Sequence, residues 1–128
     1  MKPTDSELTI LQVLWQNQPC TVRFINEQLN AQREAGSKII GYTTTLKMMQ
    51  LMTEKGILDR KIEGRKHTYT AVIQQSETQS VLLDDFLQST FGGSAMKLVM
   101  QALGNHETSK EELDKIKDLI NKIEGGES

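Results

Sequence analysis

At Gly56 the apolar pattern of the chain changes period. Before it, apolar residues recur every three or four positions, as one face of an α-helix requires. After it, two short runs of strand-forming residues flank a polar turn. The segment that ends there starts near Gly41-Tyr42 and closes on Lys55-Gly56, a basic last turn followed by glycine. Its buried stripe is expected at Thr45, Met48, Met49 and Met52, with Thr43, Thr44, Lys47, Gln50 and Leu51 largely outside it. Residues 57–62 and 67–72 then form a hairpin across Glu63-Gly64-Arg65-Lys66, where glycine supplies the positive φ of a tight turn.

Two further helices precede this pair of elements. Thr4-Asp5-Ser6-Glu7 is a capping box, and Leu8, Leu11, Leu14 and Trp15 follow at helical spacing until Pro19 interrupts. Thr21 can cap a second helix in which Val22, Ile25 and Leu29 share a face. The polar stretch Glu34-Ala35-Gly36-Ser37-Lys38 follows as a loop. Three helices and a hairpin in this order predict a winged helix-turn-helix over residues 1–73.

Residues 74–128 read as helix throughout. Ser76-Glu77-Thr78-Gln79 is a second capping box, ahead of Leu82, Leu83, Phe86 and Leu87, and Gly92-Gly93 breaks that helix. Ala95, Leu98, Val99, Ala102 and Leu103 mark the next, which Gly104-Asn105 ends. Ser109-Lys110-Glu111-Glu112 caps the last, where Leu113, Ile116, Ile120 and Ile123 form a narrow seam suited to a partner helix. About fifty residues with single apolar stripes bury too little surface alone. A homodimerisation domain is therefore expected, with Leu98, Val99, Leu103, Leu113, Ile116, Ile120 and Ile123 in the interface; a lid folded back on the N-terminal domain is the alternative. The fold class is mainly α with a small β-hairpin.

Charge bears on the partner. The 128 residues carry a net charge of −2, which on average argues against nucleic acid. The halves differ. Residues 1–72 hold ten Lys/Arg against seven Asp/Glu, and residues 73–128 hold five against ten. A basic front half can meet a polyanion while an acidic back half stays away from it. No apolar run approaches the roughly 18 residues of a membrane helix, and the first residues lack the apolar core of a signal peptide. A single cysteine, Cys20, forms no internal disulfide, so a cytoplasmic setting is expected and secreted, membrane and disulfide-scaffold classes are excluded.

A helix fits the major groove of double-stranded DNA, and threonine suits that surface: its hydroxyl reaches a phosphate or base edge while its methyl packs on thymine. Lys61, Arg65 and Lys66 at the wing tip are positioned for phosphates, which carry affinity rather than sequence information. Thr21 is counted with these backbone contacts. The plainer reading of each lysine is an ordinary solvated charge. A second function remains open, a winged-helix module for protein–protein assembly with α-helical residues 42–55 as a protein-binding face, supported by Leu46 and Leu51, both expected to be exposed.

Nothing suggests an enzyme. Asp84 and Asp85 are adjacent on a helix and point about 100° apart, so they make no facing acid/base pair. His67 and His106 lie in different segments, and His106-Glu107 lacks the second histidine of a zinc motif. Cys20 has no neighbouring base and reads as a buried structural thiol. The six methionines fall mostly on apolar faces, where gap-filling explains them better than metal binding. No cofactor and no metal are expected.

Gly41-Tyr42-Thr43-Thr44-Thr45-Leu46-Lys47-Met48-Met49, the run from Leu51 to Gly56, and Gly64-Arg65-Lys66-His67-Thr68-Tyr69 together resemble the penicillinase/methicillin-resistance repressor family, which includes copper-transport repressors. Ser6-Glu7-Leu8 through Trp15, Thr21-Val22, and the Gly92-Gly93 break before Leu98-Val99 are similar to it as well, so the resemblance covers nearly the whole chain. It implies dimeric bacterial repressors that bind inverted repeats in the promoters they control. By that resemblance Thr43, Thr44 and Lys47 are base-reading positions, and Arg65 and Lys66 are wing contacts. Leu46 and Leu51 depart from it, standing where members often place polar or basic residues, and the cysteine-rich tail of copper-responsive members has no counterpart in Gly125-Gly126-Glu127-Ser128. Penicillinase-type members are inactivated by a sensor protease that cuts between asparagine and phenylalanine after a Leu-Val pair. Here Gln101-Ala102 stand at that place, and no cleavage by such a protease is expected.

Overall fold

The elements run in chain order as α1 (Asp5–Asn17), α2 (Val22–Ala31), α3 (Tyr42–Glu54), β1 (Leu58–Glu63), β2 (Lys66–Ala71), α4 (Gln75–Phe91), α5 (Ala95–Asn105) and α6 (Lys110–Glu124). The computed structural model describes residues 2–126; Glu127 and Ser128 of the expected tail lie outside them. Contacts divide the chain into two compact units, residues 1–83 and 84–128. The division falls inside α4, because the first turns of that helix, with Thr78 buried, belong to the first unit.

Local chemistry sets the first unit's boundaries. The Thr4 side chain accepts the Glu7 amide while the Glu7 carboxylate accepts the Thr4 amide at 2.9 Å, so the expected capping box is formed. Glu7 also meets Lys55 Nζ at 2.8 Å, joining the start of α1 to the residue that closes α3. This ion pair and the Thr4 amide hold the Glu7 carboxyl below its ordinary range, against the opposing effect of burial. Thr21 caps α2 by accepting the Phe24 amide at 3.2 Å. Gly56, at φ +83°, ends α3 in the left-handed conformation that favours glycine.

The core of this unit is built from Ile10, Leu11, Val13 and Leu14 of α1, Val22, Ile25 and Leu29 of α2, Met49 and Met52 of α3, and Ile57, Leu58 and Tyr69 of the hairpin region. Leu8 and Trp15, expected in the α1 stripe, are half-buried, and Ile10 and Val13 take the deeper positions. Met48 is likewise half-buried at the edge of the α3 stripe.

β1 and β2 pair antiparallel, from Leu58 opposite Ala71 to Glu63 opposite Lys66. Gly64 at φ +60° precedes Arg65, whose φ is negative, as a type II′ turn requires. Cys20 exchanges backbone hydrogen bonds with Tyr69 at 3.1 and 2.8 Å, adding one bridge to the hairpin from the α1–α2 connection. Its thiol is buried, and that burial pushes its pKa up, away from the reactive thiolate. Trp15 Nε1 donates to the Ile73 carbonyl at 3.1 Å and fastens the chain leaving the hairpin to α1.

The second capping box does not form. α4 begins at Gln75, so Ser76 is already inside its first turn, and the amide and hydroxyl of Thr78 both donate to the Gln74 carbonyl. The other caps are present: Ser94 accepts the Lys97 amide, and Ser109 accepts the Glu112 amide. Gly92 and Gly93, both at positive φ, separate α4 from α5. Neither α5 nor α6 contains a buried residue, and within their unit the two do not pack broadly on each other. No helix among the described residues is long and apolar enough to cross a membrane.

Candidate nucleic-acid interface

The placement of α3 depends on how its first residues are held. Gly41 offers no side-chain cap, and the loop before it is exposed. Two asparagines of α2 do the holding. Asn30 accepts the Ile40 amide at 2.8 Å and donates to the Ile40 carbonyl at 3.0 Å, while Asn26 donates to that carbonyl at 3.0 Å and to the Thr45 hydroxyl at 2.9 Å. The buried Thr45 is thereby satisfied, and the start of α3 is fixed to α2 by four hydrogen bonds.

With Thr45, Met49 and Met52 facing the core, the turn of about 100° per residue puts Thr43, Lys47, Gln50 and Glu54 on the opposite, exposed stripe. Thr43 and Lys47 occupy its N-terminal part, and Glu54 makes its far end acidic. Thr44 is also exposed but sits on a flank, lining a hollow with Asp5, Ser6 and Thr9 of α1. Leu51 shares that flank and is 47% exposed. Leu46 is not exposed as expected: it is half-buried against the core on the wing side of the helix.

The wing has two unlike faces, because strand residues alternate. Lys61 lies on the face that includes Asp59, Glu63 and Thr70, away from α3, and pairs with Glu63 at 3.2 Å. On the other face, His67 and Tyr69, with Arg65 and Lys66 at the turn, border a hollow of about 380 Å³ with Thr21, Val22, Arg23, Tyr42 and Leu46; Lys66, opposite Glu63, borders the first face as well. Thr21 and Arg65 are thus brought together beside the start of α3, Lys66 stands between the two faces, and Lys61 lies on the far one. Arg23 and Tyr42 carried no signal in the sequence. The Arg23 guanidinium carbon stands 5.7 Å from the centre of the Tyr42 ring, a contact between the first turns of two helices that neither segment's own pattern announces.

In the second unit, Leu98 and Ile116 are half-buried while Val99, Leu103, Leu113, Ile120 and Ile123 are exposed. Met96, Met100 and Leu119 are exposed as well.

A three-helix unit whose third helix stands beside a basic two-stranded wing defines a winged helix-turn-helix DNA-binding domain. The chain belongs to the penicillinase repressor family, which matches residues 3–122; this is a family of transcriptional repressors, not of enzymes. It is 20% identical over 119 residues to the methicillin resistance regulatory protein MecI of Mammaliicoccus sciuri, covering 93% of each chain. It is 25% identical over 117 residues to the penicillinase repressor of Bacillus licheniformis, covering 91% of this chain and 88% of that one. The solution structure of the DNA-binding domain of the repressor BlaI aligns with 60% of this chain and 93% of its own, at 25% identity and a TM-score of 0.48.

Proposed function

We propose that this protein is a homodimeric transcriptional repressor that binds inverted-repeat operators in double-stranded DNA, with residues 1–73 reading the DNA and residues 74–128 joining the protomers. The observation that carries the reading is the exposed Thr43–Lys47 stripe of α3 standing beside a wing face whose bordering residues include Arg23, Arg65 and Lys66 and no carboxylate. Recognition helices contact base edges through their N-terminal residues, where Thr43, Thr44 and Lys47 lie. Arg65, Lys66 and Thr21 fit phosphate contacts.

The dimer is supported by α5 and α6, which leave Leu98, Val99, Leu103, Leu113, Ile116, Ile120 and Ile123 without a core of their own. A two-fold pair would cover both stripes and present two α3 helices to one duplex. Gln101 and Ala102 lie inside α5, and the missing aromatic supports a chain that a penicillinase-type sensor protease leaves intact.

Titration of labelled duplex at rising salt tests the reading. Affinity should fall with a slope near −0.9 per phosphate contact in log–log form. Binding that is insensitive to salt would instead favour the protein-assembly role, for which the exposed Leu51 is the remaining support.

A further inference from the structure

The hollow between α3 and the wing contains a side chain placed against its local electrostatics. Arg23 is the second residue of α2, where the helix dipole disfavours a cation, and the first turn of α2 contains no acidic residue to offset it. Among the described residues no carboxylate stands within ion-pair distance of Arg23. Its guanidinium carbon stands 5.7 Å from the centre of the Tyr42 ring. Arg65 and Lys66 border the same hollow, again with no Asp or Glu. The far face of the wing differs: there Asp59 and Glu63 accompany Lys61 and Lys66, the latter bordering both hollows. Arg23 and Arg65 therefore border only the α3-side hollow, which no carboxylate lines, an arrangement suited to an anion from outside the chain.

We propose that Arg23, held against the Tyr42 ring, binds a backbone phosphate of the DNA duplex in this hollow, and that Tyr42 is its positioning residue. The inference rests on the reading of α3 and the wing as a DNA-binding face, and it adds a contact from α2 that this reading does not supply. A guanidinium at cation–π distance from an aromatic ring keeps its edge donors free. The ring thus restricts the rotamers of a long, exposed side chain without consuming the hydrogen bonds that a phosphate needs. Because the ring belongs to the first residue of α3, Arg23 moves with the recognition helix. Its phosphate contact then adds affinity beside α3 while reading no base itself.

The test is the salt dependence of duplex binding by the full chain and its variants. Arg23→Ala should reduce the magnitude of the log–log slope by about 0.9 for each protomer on the duplex. Affinity at low salt should fall about tenfold or more, as expected for a lost charge-assisted hydrogen bond. The ratio of operator to scrambled-duplex affinity should stay unchanged. Arg23→Lys should restore the slope. Tyr42→Phe keeps the ring and should bind as the unchanged protein does, whereas Tyr42→Leu should weaken binding, with no further loss when Arg23→Ala is added. An unaltered slope for Arg23→Ala, on a duplex that the unchanged protein binds with normal salt dependence, overturns the phosphate contact and leaves the wider reading standing. Equal losses for Tyr42→Phe and Tyr42→Leu overturn the positioning role of the ring. If the unchanged protein shows no salt-dependent binding to any duplex, the DNA-binding reading itself fails and this contact falls with it.

Discussion

Residues 1–83 close a core around their own side chains, whereas in residues 84–128 helices of equally clear periodicity close none. Ile10, Leu11, Leu14, Ile25, Met49 and Met52 are all at or near zero exposure. Ile123, on the cleanest stripe of the C-terminal half, is 67% exposed. The difference is not in the strength of the pattern. It lies in what the chain supplies to cover it. α1, α2, α3 and the hairpin meet at mutual angles that enclose a volume, while α5 and α6 each present one stripe and neither broadly covers the other. A stripe left in water costs about 25 cal/mol for each Å² of apolar surface that a partner could have covered. The two halves therefore teach different lessons: one folds on itself, and the other leaves its stripes exposed, as the proposed dimer requires.

The largest effect expected from this contrast comes from charging the open stripe. Ile116→Asp together with Ile120→Asp should give monomers in sedimentation and abolish operator binding, while the helical signal of the first unit survives. A dimer that persists would place the interface elsewhere. Next in size, Leu14→Ala should cost about 2–5 kcal/mol in denaturant titration, because it opens a cavity in a closed core. Ile123→Ala, measured at protein concentrations where the chain is monomeric, should cost less than about 0.5 kcal/mol, as exposed substitutions do. Similar costs at the two sites would erase the distinction between the halves.

Within the DNA-facing half, Lys47→Ala should reduce discrimination between operator and scrambled duplex by about 1–3 kcal/mol. Arg65→Ala should weaken both duplexes alike. Equal losses on both duplexes for Lys47→Ala would remove it from the base-reading set. The smallest effect concerns Glu7. Its carboxyl is held below its ordinary value by Lys55 and the Thr4 amide, so its stabilisation is fully present above the unfolded-state value of 4.5 and is lost as pH falls through the lower folded value. Lys55 is half exposed, which limits the pair to a fraction of a kcal/mol up to about 1 kcal/mol. Stability curves of the unchanged protein and Glu7→Gln should converge toward acid, and parallel curves would deny the linkage.

The features legible in the sequence are those encoded within a few residues. The Thr4–Glu7 box, Gly56 closing α3, Gly64 in the turn and the stripes of α3 and α6 each depend on neighbours in the chain. Ser76 shows the limit of such signals: the same four-residue pattern lost to a helix start two residues earlier, taken by Thr78 on the Gln74 carbonyl. What escaped reading is non-local. Asn26 and Asn30 act on Ile40 across a loop, Arg23 reaches Tyr42 in another helix, and Leu46 is half-buried because the wing packs beside it. Lys61 was assigned with its wing neighbours, yet strand parity turns it to the opposite face, where Glu63 meets it. Charge alone could not separate those two faces.

Selection of bound fragments from random duplex DNA tests the central claim most directly, since it asks for the geometry of two recognition helices without assuming a sequence. The expected product is a pair of half-sites in inverted orientation, with centres separated by about one turn of the double helix, roughly 10 base pairs, or a multiple of it. Enrichment of a single unpaired half-site, or of nothing at all, would contradict a dimer that reads DNA through α3.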